Sequence, residues 1–290
     1  MFVTFFFLFR YSIILEIEDI YVKIVTMKKR TVKCLLCICM CLVFTGCAKT
    51  KEKQYTKTVY VGSDEVYPYF YVNEEGEFDG VDVDIARTAF EAMGVQPVFT
   101  KIDWEKKKDL LQNRSIDCLW GCFSMNGREE EYQWAGPYMH SRQLVVVRKD
   151  SDIFTLQDLQ GKEIGVQATT KPEELLTHHE EYGLPEVKKI YSFSNVKEIY
   201  RAMRKGYLDG ICGHESAMRS FMDTNPDNFR SLEESIYSSD LGVAFSKTYD
   251  STFVKTLDKE LNSLNQDGTI RKIVETYGLD AEYALGGKDD

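Results

Sequence analysis

Arg128 closes a loop, residues 121–127, that begins at Gly121 and carries Phe123 and Gly127; the loop follows a short apolar run at 116–120. The chemistry this pattern can do is anion capture. A guanidinium stays charged and presents paired N–H donors that match the two oxygens of a carboxylate. The run 116–120 has the length and composition of a buried parallel strand, and Gly121 ends it where the backbone has to turn closely. In open α/β sheets ligands settle beyond the carboxyl ends of the strands, where a turning loop also offers free backbone N–H groups. Gly121, Phe123 and Arg128 are therefore candidate binding residues, and Trp120 is a candidate wall. The competing reading of Arg128 is a solvated surface charge.

Other chemistries find less support in the residues. Cys118, Cys122 and Cys212 have no histidine at metal-ligand spacing, so neither a metal nor a cofactor is expected. Cys118 and Cys212 read as small buried hydrophobes, and Cys122 as a lining residue of the cleft. His214 precedes Glu215, but neighbours on a strand face opposite ways, and no Ser-His-Asp or Cys-His constellation is visible. If the strand ends at Gly213, Glu215 can swing into the cleft. Asp82 or Asp84 reads as the cap of a helix whose apolar positions Ile85, Ala86, Ala89, Phe90 and Met93 recur at helical spacing before Gly94 stops it. These aspartates are thus expected to be structural.

The elements that must position Arg128 follow in chain order. Residues 59–62 form a short strand, whose carboxyl end leads into a loop holding Asp64, Tyr67 and Tyr69; residues 73–80 are a hairpin-like polar turn. A strand at 95–100 precedes a helix starting at Trp104, which is either a pocket wall or core. Residues 143–148 are a continuous apolar strand able to cross between lobes, and 241–246 are its return strand. Between them a strand ending at Gln167 runs into Ala168-Thr169-Thr170, expected to be a helix N-terminus. Val254, Leu257, Leu261 and Leu264 mark a further helix, followed by a last one at 270–277.

In combination these segments resemble the bacterial extracellular solute-binding proteins of the polar amino-acid family, the capture subunits of amino-acid ABC importers. The resemblance rests on Asp117, Gly121, Arg128 and Pro137-Tyr138, on residues 80–86, on 156–167, on 206–215, and on Asn262, Asp267-Gly268 and Tyr277-Gly278, and it covers about residues 58–280. It implies an α/β, two-lobed periplasmic-binding-protein-like fold of type II with two hinge-crossing strands. It implies further that Arg128 grips a ligand α-carboxylate, that Thr170 donates its hydroxyl and N–H to the same carboxylate, and that Tyr67 and Trp104 wall the ligand. Two departures stand out. Thr169 replaces the usual glycine. His214 stands five residues beyond Asp209, where the family has the aspartate that holds the α-ammonium. Either Glu215 or Asp64 takes over the ammonium, or the ligand is a small carboxylate without a free α-amine.

The amino-terminal region is organised as a leader. Lys28, Lys29, Arg30 and Lys33 precede an apolar run at 34–44 and then Thr45-Gly46-Cys47, the order of a signal peptide. Residues 44–47 also resemble a lipobox, which makes Cys47 the lipid acceptor. Translation is expected to start at Met27, with 1–26 an upstream extension, 27–46 the signal peptide and 47–57 a tether; a two-segment membrane anchor is the alternative. The body divides into a first lobe at 58–145, a second at 146–240, a return to the first at 241–280, and a tail at 281–290. Six basic and three acidic residues precede Cys47, so the formal charge of −10 becomes −13 from there on. Such a surface disfavours nucleic acid and anionic lipid. The function expected is that of a non-enzymatic monomer, anchored by lipid outside the cytoplasm, that captures an amino acid or related small carboxylate for an ABC permease. The alternatives are a cyclohexadienyl-dehydratase-like enzyme on the same fold and a solute sensor that does not transport.

Overall fold

A computed structural model describes residues 55–286. The readings of the leader, of Cys47 and of most of the tether fall outside those residues. Two strands organise the described part. The first is the sixteen-residue Gln133–Arg148, and the second is Tyr237–Phe245, its antiparallel partner. Val145, Val146 and Val147 on one and Leu241, Val243, Ala244 and Phe245 on the other are fully buried, because these stretches are covered on both faces. In chain order they are β6 and β11.

On one side, β1 (Lys57–Ser63) pairs in parallel with β4 (Val95–Lys101) and with β5 (Cys118–Leu119). β2 (Tyr71–Val72) and β3 (Phe78–Asp79) form a small separate hairpin. On the other side, β7 (Glu163–Gln167) lies in parallel between β8 (Lys189–Phe193) and β9 (Gly210–His214), and β10 (Phe229–Ser231) pairs with β6. Apart from that hairpin the strands form one nine-stranded sheet with the path β4-β1-β5-β11-β6-β9-β7-β8 and β10 off it against β6. β5 pairs with β11 and β9 with β6, so each half of the sheet hangs from one of the two central strands. This is the two-lobed α/β arrangement expected from the sequence.

Helices cover the sheet where their apolar stripes dictate. α1 (Val81–Ala92) buries Val81, Val83, Ile85, Ala86, Ala89 and Phe90, and α2 (Lys107–Gln112) follows a 3₁₀ turn at Trp104–Lys106. The second lobe carries α3 (Lys171–Thr177), α4 (Val196–Arg204) and α5 (Glu215–Asp223). After β11 the chain returns through α6 (Ser251–Gln266), which buries Val254, Leu257, Leu261 and Leu264, and through α7 (Thr269–Thr276). The segment read as a tail carries a further helix, α8 (Ala281–Gly286), with Ala281 and Ala284 buried. No helix among the described residues is long and apolar enough to cross a membrane.

The capping role given to Asp82 or Asp84 is not what the structure shows. Gly80 occupies the cap position without a side-chain bond, at a φ of 127° that suits glycine. Asp82, one residue into α1, turns inward: one carboxylate oxygen accepts from the Cys122 N–H at 2.6 Å and the other from the Tyr138 hydroxyl at 2.8 Å. Asp84 accepts instead from the Tyr277 hydroxyl and Arg87. An acid just inside a helix start gives the same sequence signal as a cap, so the pattern did not distinguish the two.

The loop after β5 is fixed by close packing. A Cβ on Gly121 would lie 1.8 Å from Ser63 Oγ and 2.6 Å from its Cβ, so only glycine fits against the end of β1. Beyond it, Phe123 is held edge-on by Trp104 and Tyr132 and tilted against Trp134, with centroid distances of 5.0 to 5.5 Å. We expect Gly121→Ala to destabilise the fold by about 1 to 3 kcal/mol through overpacking. Thermal unfolding checks this, and the double change with Ser63→Gly should recover part of the loss. A Gly121→Ala variant as stable as the parent would contradict the packing account.

Candidate functional site

The first-lobe loop 121–128 faces the start of α3 across the gap between the lobes. Arg128 is 8% exposed, and its guanidinium donates to the Ser124 carbonyl at 3.2 Å and to Glu174 of α3 at 2.9 Å. Its position over the Phe123 ring, 5.5 Å from the centroid, limits it further. The surface-charge reading of Arg128 is therefore incorrect. Glu174 is shared: Lys171 Nζ donates to its other oxygen at 2.5 Å, and the Tyr182 hydroxyl donates to the same oxygen at 3.0 Å. Burial works against the charge on Glu174, but the Lys171 bond and the charges of Arg128 and Lys171 hold its carboxyl below the usual range.

Further bonds tie the lobes together. Gln167 Nε2 donates to Asp64 at 2.5 Å, Lys107 Nζ donates to the Thr169 hydroxyl at 2.6 Å and carbonyl at 3.2 Å, and the Tyr69 and Ser216 hydroxyls meet at 2.9 Å. Burial lowers Lys107 to about 8, with Arg128 adding to the effect. Thr169 adopts a φ of 59°, the left-handed region that glycine favours, which explains why glycine is usual there. The Lys107 bonds and a 2.5 Å bond from its N–H to Glu173 hold it in place.

Between the lobes lies a partly open cavity of about 60 Å³, mostly apolar, whose polar lining includes Arg128, Lys171, Asp64, His214 and Gln143. Of the residues singled out from sequence, Asp64, Trp104, Gly121, Phe123, Arg128, Thr170 and His214 line it. Thr170 sits at the cap position of α3, yet its hydroxyl donates to the Gln167 carbonyl at 2.6 Å.

Three expected site residues lie elsewhere. Trp120 is fully buried between Phe90 and Tyr138, because the strand turns it to the core side. Tyr67 is 55% exposed and packs on Tyr71. Glu215 opens α5 and is gripped by Arg142 at 2.8 and 2.9 Å and by Arg219, outside the cavity. It does not swing into the cleft.

Four contributors were missed: Lys171 and Glu174, in the first turn of α3, were not singled out, and Gln143 and Gln167 read only as strand ends. Cys122 and Cys212 also line the cavity, and all three cysteines of the domain are free and buried. Among the described residues no group of three or more His, Cys, Asp or Glu is placed to hold a metal.

His214 carries a pH consequence. Burial, aided by the charge of Arg128, lowers its ring to about 3 from an ordinary 6.5, so the folded protein holds it neutral. Between those values the unfolded chain takes up a proton that the folded ring refuses, so stability falls as the pH drops through this window. We expect His214→Gln to flatten the decline by at most one proton, about 1.4 kcal/mol per pH unit. Unfolding temperatures measured from pH 7 to 4 check this, and parallel curves for parent and variant would contradict it.

Comparisons with known proteins identify the family and the fold. The profile of the bacterial extracellular solute-binding proteins, family 3, matches residues 59–280. The chain is 24% identical over 241 residues to the ABC transporter arginine-binding protein 1 of Escherichia coli (strain K12), covering 81% of this chain and 94% of the relative. It is 24% identical over 266 residues to the L-cystine-binding protein TcyJ of Bacillus subtilis (strain 168), covering 89% and 98%. Among solved structures, an ancestral arginine-binding protein bound to arginine superposes with a TM-score of 0.70 at 26% identity, over 76% of this chain and 97% of that one. With a type II periplasmic-binding-protein fold and a profile match over most of its length, the chain belongs to the bacterial extracellular solute-binding proteins of family 3.

Proposed function

We propose that the protein captures an amino acid or a related small carboxylate outside the cytoplasm and delivers it to the permease of an ABC importer, with Arg128 as the carboxylate clamp. The observation that carries this reading is the Arg128–Glu174 pair: the buried guanidinium already seats a carboxylate presented by the facing lobe. A ligand carboxylate at the same place satisfies the same donors. Lys171 supplies a second cation within reach of that position, through Glu174, and Trp104, Phe123 and Val66 supply apolar wall.

Because each lobe contributes part of the lining, full ligand contact exists only with the lobes together, and binding shifts the hinge equilibrium toward that state. The permease reads the difference between the two states. Cys47 serves as the lipid attachment that keeps the monomeric protein at the membrane. A thermal-shift screen of the purified protein against the twenty amino acids and a set of small organic acids tests the capture reading, since a bound ligand raises the unfolding temperature by mass action. A concentration-dependent rise with at least one carboxylate is expected; a flat response across the whole set would refute it.

A further inference from the structure

Besides Arg128, Lys171 and Asp64, the cavity lining includes the side chains of Gln143 and His214. Gln143, on β6, is fully buried and lines the cavity, and its Oε1 has no hydrogen-bond partner in the protein. Its amide nitrogen is committed to Ser239 Oγ at 3.2 Å and to the His214 ring at 3.0 Å. His214 pairs with Gln143 across β6 and β9, and its Nδ1 also meets Ser141 Oγ at 3.1 Å. A buried acceptor left without a donor is unfavourable, so the orphan oxygen calls for an O–H or N–H from whatever occupies the cavity.

Charge decides which donor. The cations at the cleft are Arg128, Lys171 and Lys107. Of the nearby carboxylates, Glu174 is divided among Arg128, Lys171 and Tyr182, and Glu215 is held outside the cavity by Arg142 and Arg219. Asp64 lines the cavity but already accepts from Gln167, and burial raises its carboxyl above the usual range, against the charged form. A ligand ammonium beside Arg128 would be one more buried cation facing an amide and a neutral imidazole, which is unfavourable without a charged partner. A hydroxyl satisfies Gln143 Oε1 without adding charge.

We infer that the preferred ligand is a small 2-hydroxy acid, its carboxylate on Arg128 and its 2-hydroxyl donating to Gln143 Oε1, with the His214 ring beside it. This rests on the capture reading above and narrows it. The test is titration calorimetry of the purified protein with matched pairs: L-phenylalanine and L-phenyllactate, L-leucine and L-2-hydroxyisocaproate, L-histidine and L-imidazolelactate. The hydroxy acid should bind about tenfold or more tighter within each pair that binds, and Gln143→Leu should abolish that preference. His214→Asp, which supplies an anion at the same wall, should move the preference toward the amino acid by about tenfold. Tighter binding of the amino acids by the parent protein, particularly if Asp64→Asn removes it, would overturn the inference and leave the capture reading standing. Absence of binding by all six together with a thermal shift from another amino acid would overturn the inference alone, whereas no shift across the whole screen would refute the capture reading as well.

Discussion

Arg128→Ala is expected to weaken ligand binding by about 2 to 4 kcal/mol, a loss of tenfold or more in affinity. The size follows from the environment of the side chain. The guanidinium is buried, so a carboxylate placed on it is poorly screened by water, and its bond to the Ser124 carbonyl and its position over the Phe123 ring hold it in place when a ligand carboxylate takes the position of Glu174. The variant loses more than one charge pair. Glu174 keeps Lys171 and Tyr182 but no longer meets the first lobe, so the contact that draws the lobes together is also weakened. Calorimetric titration with whichever carboxylate gives the largest thermal shift measures the effect. Equal affinity in parent and variant would remove Arg128 from the site.

The second large effect is expected at Asp82, which does not itself line the cavity. Asp82→Ala leaves the Cys122 N–H and the Tyr138 hydroxyl without their acceptor in a dry part of the first lobe, at a cost of about 2 to 5 kcal/mol. For a domain of this size that is a fall of several degrees in unfolding temperature, roughly 5 to 15 °C. Cys122 has a φ of 52°, and the Asp82 bond is what fixes its N–H there; the loop that carries Arg128 starts from that point. The variant should therefore lose affinity together with stability.

Asp82 has a pH signature as well. Burial raises its carboxyl from 3.8 to about 7, although the bonds from Tyr138 and Cys122 pull the other way. Between those values the folded protein retains a proton that the unfolded chain releases. Its contribution to stability is therefore present at low pH and declines as the pH rises toward about 7. This slope opposes that of His214, so each is visible only as a difference between parent and single variant. Asp82→Asn should remove the Asp82 slope, and an unchanged pH dependence in that variant would contradict the assignment.

Much of the architecture was legible because periodicity reports burial directly. The stripe from Ile85 to Phe90 and the set Val254, Leu257, Leu261 and Leu264 are the buried faces of α1 and α6. The apolar stretch at 143–148 is the part of β6 that pairs with β9 and β10. Side-chain direction was harder. Asp82 carries the signal of a cap but points inward, and Trp120 lies beside a binding loop but faces the core. Glu215 was expected among the site residues, but it opens α5 and the arginines that hold it outside the cavity come from β6 and from α5, which spacing along β9 does not reveal. Lys171 and Glu174 were not legible at all, since a charged residue at a helix start is ordinarily solvated; only the approach of the other lobe encloses them.

The most direct test of the central claim is a crystal structure of the protein grown with the carboxylate that gives the largest thermal shift. The account predicts the lobes in contact and the ligand carboxylate within hydrogen-bond distance of the Arg128 guanidinium. A ligand bound elsewhere, with Arg128 still paired only to Glu174 and Ser124, would contradict it.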